Sequence, residues 1–339
     1  MRSRVVVDLA AVRHNAGVLT RVLEPTELWA VVKADGYGHG ALDVARAALD
    51  GGARALCVAT VGEGLPLRGE LSDVRVVVLG PTRSEDLPIA RDAALELAVP
   101  DGRLPEGIPV HVKLDTGMGR WGLSELAVPG PSVVGLMTHL ATADSDRSFA
   151  QEQTERFLRA TEPYAGVFVR HAANSAGALA VPEARLDAAR CGIALYGIDP
   201  FGEDPARFQL RPALRWESQV AQVRQLQPGE STGYGRTFVA SEPTWIGLVP
   251  VGYADGFRRD MTGTEVLVEG ARARVVGTVS MDAIAVALAG PVEQGATVTL
   301  VGDGITLEQH ARVAETIAYE LACGIRVGQG RGTRVLRDG

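Results

Sequence analysis

With 339 residues, the chain is long enough for two domains, or for one barrel with an appendage. Hydrophobic residues make up 46% and charged residues 22%, as in a folded globular protein, and no apolar run reaches the length of a bilayer span. A net charge of −7 with no basic block argues against nucleic acid or an anionic membrane as a partner.

In chain order, Val5–Asp8 reads as a short strand and Leu9–Val22 as a helix. Met1-Arg-Ser-Arg4 and the residues after it lack the apolar core of a signal peptide. Cys57, Cys191 and Cys323 are far apart and odd in number, so they read as free thiols in a reducing compartment. Cytoplasm is the expected location. From Trp29 to about Arg190, short apolar runs alternate with helical or loop segments. The expected strands are Ala30–Val32, Ala55–Val58, Arg75–Leu79, Leu95–Val99, Val110–Leu114, Val133–Thr138, Val167–Arg170 and Leu186–Ala189. Eight β-then-α units in about 160 residues predict a compact α/β fold, a TIM-type (β/α)8 barrel, with a doubly wound sheet as the alternative. Lys33, Lys113, His139, His171 and Arg190 fall at or just beyond strand carboxyl ends, the rim where barrel enzymes keep their chemistry.

After about Pro212 the pattern becomes β-rich. The runs are Leu214–Leu226, Trp245–Pro250, Glu265–Val268, Ala273–Val276, Ala283–Leu288 and Thr297–Val301, with one helix expected over Leu307–Leu321. These imply a second, mostly antiparallel β domain. The glycine-rich stretch Gly328–Thr333 reads as loose. The domains are therefore placed at 9–205 for the barrel, and at 206–339, with the strand from 1–8, for the β-rich part.

Two residues stand out chemically. The chain carries 34 Lys+Arg, yet only Lys33 and Lys113 are lysines. Arg replaces Lys wherever a plain cation suffices, but a guanidinium does not lose its proton to become an amine nucleophile. Lys33 ends a buried apolar strand and leads into Gly36, Tyr37, Gly38, His39 and Gly40. Elsewhere on the rim, His171-Ala-Ala-Asn174-Ser175-Ala-Gly177, and Gly192 with Ile193 just after Arg190, offer hydroxyl and N–H groups that suit a phosphate. A lysine facing an anion cradle inside a barrel is the pattern of a pyridoxal phosphate site. His139 and His171 are not spaced as metal ligands, so no metal is inferred. His14, His111 and His310 have no partners in sequence and read as structural or solvated.

Seven segments, in order along roughly residues 5 to 320, resemble the motifs of alanine racemases, the fold-type III pyridoxal-phosphate enzymes. They are Val31–Gly40, Lys113–Arg120, Thr138–Asp144, His171–Ser175, Arg190–Gly197, Val251–Gly256 and Gly277–Asp282. The resemblance implies a homodimeric isomerase that interconverts L- and D-alanine and supplies D-alanine for peptidoglycan. Lys33 would hold the cofactor covalently and act as one base. Tyr253 would be the other, reaching the opposite face of the substrate from the partner subunit. Arg190 would bond the pyridine nitrogen. Tyr37, Asn174, Ser175, Gly192 and Ile193 would border the phosphate. His139 would lie near the cofactor ring and Arg190. Arg120 would touch the cofactor phenolate and the substrate carboxylate, which Met281 would meet through its N–H from across the dimer. Lys113 matches a lysine that can be carbamylated, where it would buffer Arg120.

Racemisation removes a proton from one face of a planar centre and returns it to the other, which calls for two bases on opposite sides. Alternatives are a racemase of broader or different specificity, such as for serine, a barrel-type decarboxylase, and a non-catalytic pyridoxal-phosphate protein. Arg190 rather than an acid opposes the decarboxylase, and a β domain carrying Tyr253 opposes the non-catalytic reading. Taken alone, Tyr253 reads as a surface or interface tyrosine and Met281 as core filler. One departure is the absence of an aromatic residue in Gly324-Ile-Arg-Val-Gly328, which implies a wider channel mouth.

Overall fold

The computed structural model describes residues 2–126 and 130–338. The chain divides into two units: Ala11–Phe201 with Pro205–Arg211, and Met1–Ala10 with Gly202–Asp204 and Pro212–Gly339.

The first unit is built on short runs buried on both faces. They are β2 (Glu27–Val31), β3 (Ala55–Val58), β4 (Arg75–Val78), β5 (Glu96–Val99), β6 (Val110–Lys113), β7 (Val133–Met137), β8 (Val169–His171) and β9 (Ala188–Cys191). All pair in parallel with their neighbours, and β9 returns to β2 with Trp29 opposite Arg190, closing a barrel. Closure removes the doubly wound alternative. Such strands are apolar without alternation because one face fills the barrel and the other meets helices. The helix α1 (Leu9–Leu23) buries Val12, Ala16, Leu19 and Leu23, one stripe at helical spacing. The helix α3 (Ala41–Asp50) follows β2 and a one-turn segment α2 (Lys33–Tyr37). Further crossovers carry α4 (Val61–Glu70), α5 (Leu87–Asp92), α6 (Arg147–Thr161) and α7 (Ser175–Ala180). Caps set their starts: Thr60, Asp146 and Asn174 each accept a backbone N–H three residues on. The expectation of eight complete β-then-α units needs correction. Among the described residues, β5–β6 and β6–β7 are joined without a helix, which is how the barrel fits its short span.

In the second unit a nine-stranded sheet runs in the order β11-β14-β17-β16-β15-β18-β10-β1-β19. Its N-terminal strand β1 (Arg4–Asp8) pairs antiparallel with β10 (Leu214–Gln219) and parallel with β19 (Thr333–Arg337). The others are β11 (Gln222–Leu226), β14 (Thr244–Val249), β15 (Glu265–Val268), β16 (Ala271–Val276), β17 (Ile284–Leu288) and β18 (Thr297–Val301). A small hairpin, β12 (Ser231–Thr232) with β13 (Phe238–Val239), stands apart. Three expectations change. The run Leu214–Leu226 is two strands. The helix over Leu307–Leu321 is α8 (Leu307–Val313) and α9 (Ala318–Gly324), separated where Glu315 turns left-handed at φ 49. Gly328–Thr333 is tied down: Gly328 and Gly332 bridge, and Thr333 opens β19. His310 is indeed structural, buried between Thr264 and the Leu300 carbonyl.

Both chain ends converge on one carboxylate of this unit. Asp255 accepts from Arg2 at 3.0 Å, Arg331 at 3.2 Å and the Gly252 N–H at 2.9 Å, with no side-chain exposure. It thereby pins the turn Tyr253–Asp255. Burial alone would raise its pKa; Arg2, the Gly252 N–H and Arg331 outweigh that and hold it below the ordinary carboxylate range. A carboxyl group depressed on folding contributes stability that is full above its unfolded pKa, about 3.9, and is lost as pH falls through the folded value. Asp255→Asn cannot accept on both terminal atoms. We expect it to lower stability at neutral pH by about 1.5–3 kcal/mol and to flatten the acid limb of the denaturation profile. A midpoint equal to the parent's at every pH would contradict this.

Candidate active site

Lys33 stands two residues past β2, half-buried, at the start of α2. This turn is left-handed. Ala34, Asp35, Gly36 and Tyr37 have φ of 52, 52, 60 and 52. The left-handed helix costs an L-residue roughly 1–2 kcal/mol, so other bonds must hold it. The Ala34 N–H donates to Glu63 Oε1 at 2.9 Å, and Glu63 Oε2 takes the Ala59 N–H at 2.7 Å. The Gly36 N–H meets the Val32 carbonyl at 2.9 Å, and the Ala41 N–H meets Asp35 Oδ1 at 3.1 Å. Glu63 was not singled out from sequence. Its signal was the capping pattern Thr60-x-x-Glu63, although the carboxylate serves two loops rather than its own helix.

Across from this turn, Ser175 opens α7. Its hydroxyl oxygen accepts the Gly192 N–H at 3.0 Å and the Ala194 N–H at 3.4 Å. A Cβ at Gly192 would lie 2.5 Å from the Tyr37 hydroxyl, so only glycine lets that phenol approach. Ile193 follows, fully buried, and Tyr196 packs on Tyr37 while donating to the Val31 carbonyl at 2.9 Å. Asn174 Oδ1 is committed to the Gly177 N–H at 2.8 Å, as a helix cap.

Arg190 lies within β9, 3% exposed. Its Nη1 donates to His171 Nδ1 at 2.7 Å and to the His171 carbonyl at 2.8 Å. Its Nη2 donates to the Thr138 carbonyl at 2.7 Å, the Ala172 carbonyl at 3.1 Å and His139 Nδ1 at 3.3 Å. Among the described residues, Nε–H has no hydrogen-bond partner. Burial lowers the guanidinium to about 10. Burial, then the Arg190 charge, push both His139 and His171 well below the ordinary range, so both are neutral. His171 is the last residue of β8, at the strand's carboxyl end as expected, and its ring packs inward against Trp29 and His111.

Lys113 ends β6, its ammonium 5.7 Å from the centre of the exposed Trp121 ring, which Arg120 also covers at 5.2 Å. Burial, then Arg120 and Arg190, bring Lys113 down to about 8. Asp115 accepts the N–H groups of Gly117, Met118 and Gly119 and shapes the loop that carries Arg120. Lys33 contributes to the field on Cys57, Lys113 and His139, placing its charge in the same neighbourhood.

Tyr253 and Met281 belong to the second unit and are neighbours there. The Tyr253 N–H donates to the Ser280 carbonyl at 3.0 Å and the Ala254 N–H to the Met281 carbonyl at 3.1 Å. A Cβ at Gly252 would sit 2.2 Å from the Ser280 oxygen, so this contact also needs glycine. Both side chains are exposed, 39% for Tyr253 and 50% for Met281. Neither is spent on the core of its own unit.

The first unit's donor set fits pyridoxal phosphate. It offers an amine at Lys33, one donor on Arg190 without a partner among the described residues for a ring nitrogen, and, for a phosphate, the hydroxyls of Tyr37 and Ser175 with the backbone of Ile193 and of Gly192, whose N–H now donates to Ser175. Among the described residues, no group of His, Cys, Asp or Glu could hold a metal.

The family model for the alanine racemase N-terminal domain matches residues 7–200, and that for the C-terminal domain matches residues 213–333. An alanine racemase of Levilactobacillus brevis is 39% identical, over 95% of each chain. One from Symbiobacterium thermophilum is 40% identical, over 94% of this chain and 93% of its own. The crystal structure of the biosynthetic alanine racemase from Pseudomonas aeruginosa superposes with a TM-score of 0.90 at 33% identity, over 99% of this chain and all of the other. The chain belongs to the alanine racemase family.

Proposed function

We propose that the chain interconverts L- and D-alanine by two-base proton transfer, uses pyridoxal phosphate, and supplies D-alanine for peptidoglycan. The observation that carries this reading is Arg190, a buried cation that, among the described residues, has one unshared donor and no carboxylate beside it. A guanidinium can only donate, so the ring nitrogen it meets stays unprotonated. Pyridoxal phosphate, when bound, delocalises the electron pair left by a departing Cα proton. Arg190 keeps that delocalisation weak, which favours returning a proton to Cα over protonating the cofactor.

Lys33 holds the cofactor and moves a proton at Nζ on one face of the substrate. Tyr253 of the partner protomer moves a proton at Oη on the other, in a homodimer with shared sites. The exposure of Tyr253 beside Met281 supports this. Arg120, on its loop with Lys113, receives the substrate carboxylate, which the partner protomer also meets through Met281. That Cys57, Cys191 and Cys323 form no disulfide among the described residues supports a cytoplasmic location. No helix among the described residues is long and apolar enough to cross a membrane.

Lys113 is the second amine with distinct chemistry. With its pKa near 8, its lone pair is available for bonding to carbon dioxide, with loss of one proton to solvent. The carbamate so formed would place negative charge beside Arg120.

Tyr253→Phe is expected to cut racemisation by roughly 10²–10⁴ in both directions, while solvent deuterium still enters Cα of one enantiomer; undiminished, equal rates in both directions would refute the two-base reading. Lys33→Ala should abolish the visible absorption of the protein-bound cofactor, and an unchanged spectrum would count against Lys33 as its anchor. Isotope-labelled bicarbonate should give a carbamate resonance that grows as pH rises through about 8 and is missing in Lys113→Ala. A spectrum identical for parent and variant would remove that role.

A further inference from the structure

The hydrogen bonds of Arg190 continue through the barrel interior. His171 Nε2 lies 2.9 Å from His111 Nδ1, and His111 Nε2 lies 2.8 Å from Glu96 Oε2. The other oxygen of Glu96 accepts from Arg75 Nε at 2.9 Å. Both imidazoles are fully buried, and Trp29 walls them, 5.6 Å from His111 and 4.6 Å from His171 between ring centres. Trp29, His111 and His171 come from alternate barrel strands, as one interior layer does, but histidines stand where branched aliphatics usually do. Glu96 and Arg75 each begin a strand, so the chain of bonds runs from the barrel's amino end to the rim.

The direction of every proton in this chain follows from its two ends. Arg190 can only donate, so His171 Nδ1 accepts and its proton is on Nε2. That proton goes to His111 Nδ1, so the His111 proton is also on Nε2 and goes to Glu96. Burial lowers both histidines, which keeps them neutral. Burial alone would raise Glu96, but its bond with His111 outweighs this and keeps the carboxylate charged.

We propose that Glu96 is a positioning residue for Arg190: its carboxylate fixes both histidine tautomers and so holds the guanidinium with Nε–H free for the cofactor. The proposal rests on the assignment of Arg190 to the cofactor ring. What distinguishes a carboxylate is that it accepts on both oxygens. A glutamine at this position can satisfy Arg75 or His111, not both. If its oxygen stays with Arg75, its amide faces His111, both histidines must shift their protons to Nδ1, and His171 then presents a donor to a donor at Arg190.

Nitrogen NMR of the six histidines in the holoenzyme tests this directly. In the parent protein, His111 and His171 should both carry their proton on Nε2; either one protonated on Nδ1 overturns the proposal without any variant. Glu96→Gln should shift at least one of these tautomers and lower kcat by about tenfold, the scale seen when the outer partner of a functional imidazole is removed, with KM little changed. Arg75→Met added to Glu96→Gln frees the amide oxygen for His111 and should restore both the tautomers and kcat. Unshifted tautomers in Glu96→Gln, or no rescue in the double variant, would overturn the relay. Shifted tautomers with kcat and the cofactor spectrum unchanged would overturn its coupling to Arg190. If Arg190→Lys also left that spectrum unchanged, the fault would lie in the assignment of Arg190 to the cofactor.

Discussion

A positive charge buried without a carboxylate next to it is costly, and Arg190 is such a charge. The barrel meets that cost with three main-chain carbonyls and two histidines, all arranged around one guanidinium. The carbonyls of Thr138, His171 and Ala172 come from the ends of β7 and β8 and the residues just after them, so strand closure itself builds the receptor. Four of five donors are thereby committed to the protein. The fifth, Nε–H, has no partner among the described residues. The chemistry proposed for the chain depends on that single remaining donor, because it decides whether the cofactor ring is a strong or a weak electron sink.

The same economy of polar groups appears at Lys33. Four successive left-handed residues bring Tyr37 back to Gly192, and the turn is held by Glu63 and Asp35 rather than by a helix. Strain of this kind persists only where surrounding bonds over-determine it. In the second unit, Asp255 does comparable work for Tyr253, collecting Arg2 near one end of the chain and Arg331 near the other. In both units, then, a carboxylate and a close glycine contact fix the backbone beside the side chain for which a role is proposed.

Much of this was legible in the sequence. The barrel strands showed as short apolar runs because parallel strands are buried on both faces, and Lys33 showed because lysine is nearly absent elsewhere. The strand β19 did not show, since its residues are mostly exposed and it is defined by pairing with β1, more than three hundred residues away. The break between α8 and α9 was hidden in an apolar stretch and rests on one left-handed residue, Glu315. The partners of His111, Glu96 fifteen residues before it on the paired strand β5 and His171 sixty after it on β8, are brought together by strand pairing and the curvature of the barrel sheet. Spacing along the chain carries no signal for such a contact. Tyr253 stood out only through the motif around it, for nothing in a lone exposed tyrosine distinguishes a base from a surface residue.

If Arg190 donates to a cofactor ring nitrogen that carries no proton, nitrogen NMR of the holoenzyme, loaded with cofactor labelled at that nitrogen, should give the shift of an unprotonated pyridine-type nitrogen that accepts a hydrogen bond, and that shift should change on Arg190→Lys. A protonated, pyridinium-type shift in the parent enzyme would rule this arrangement out.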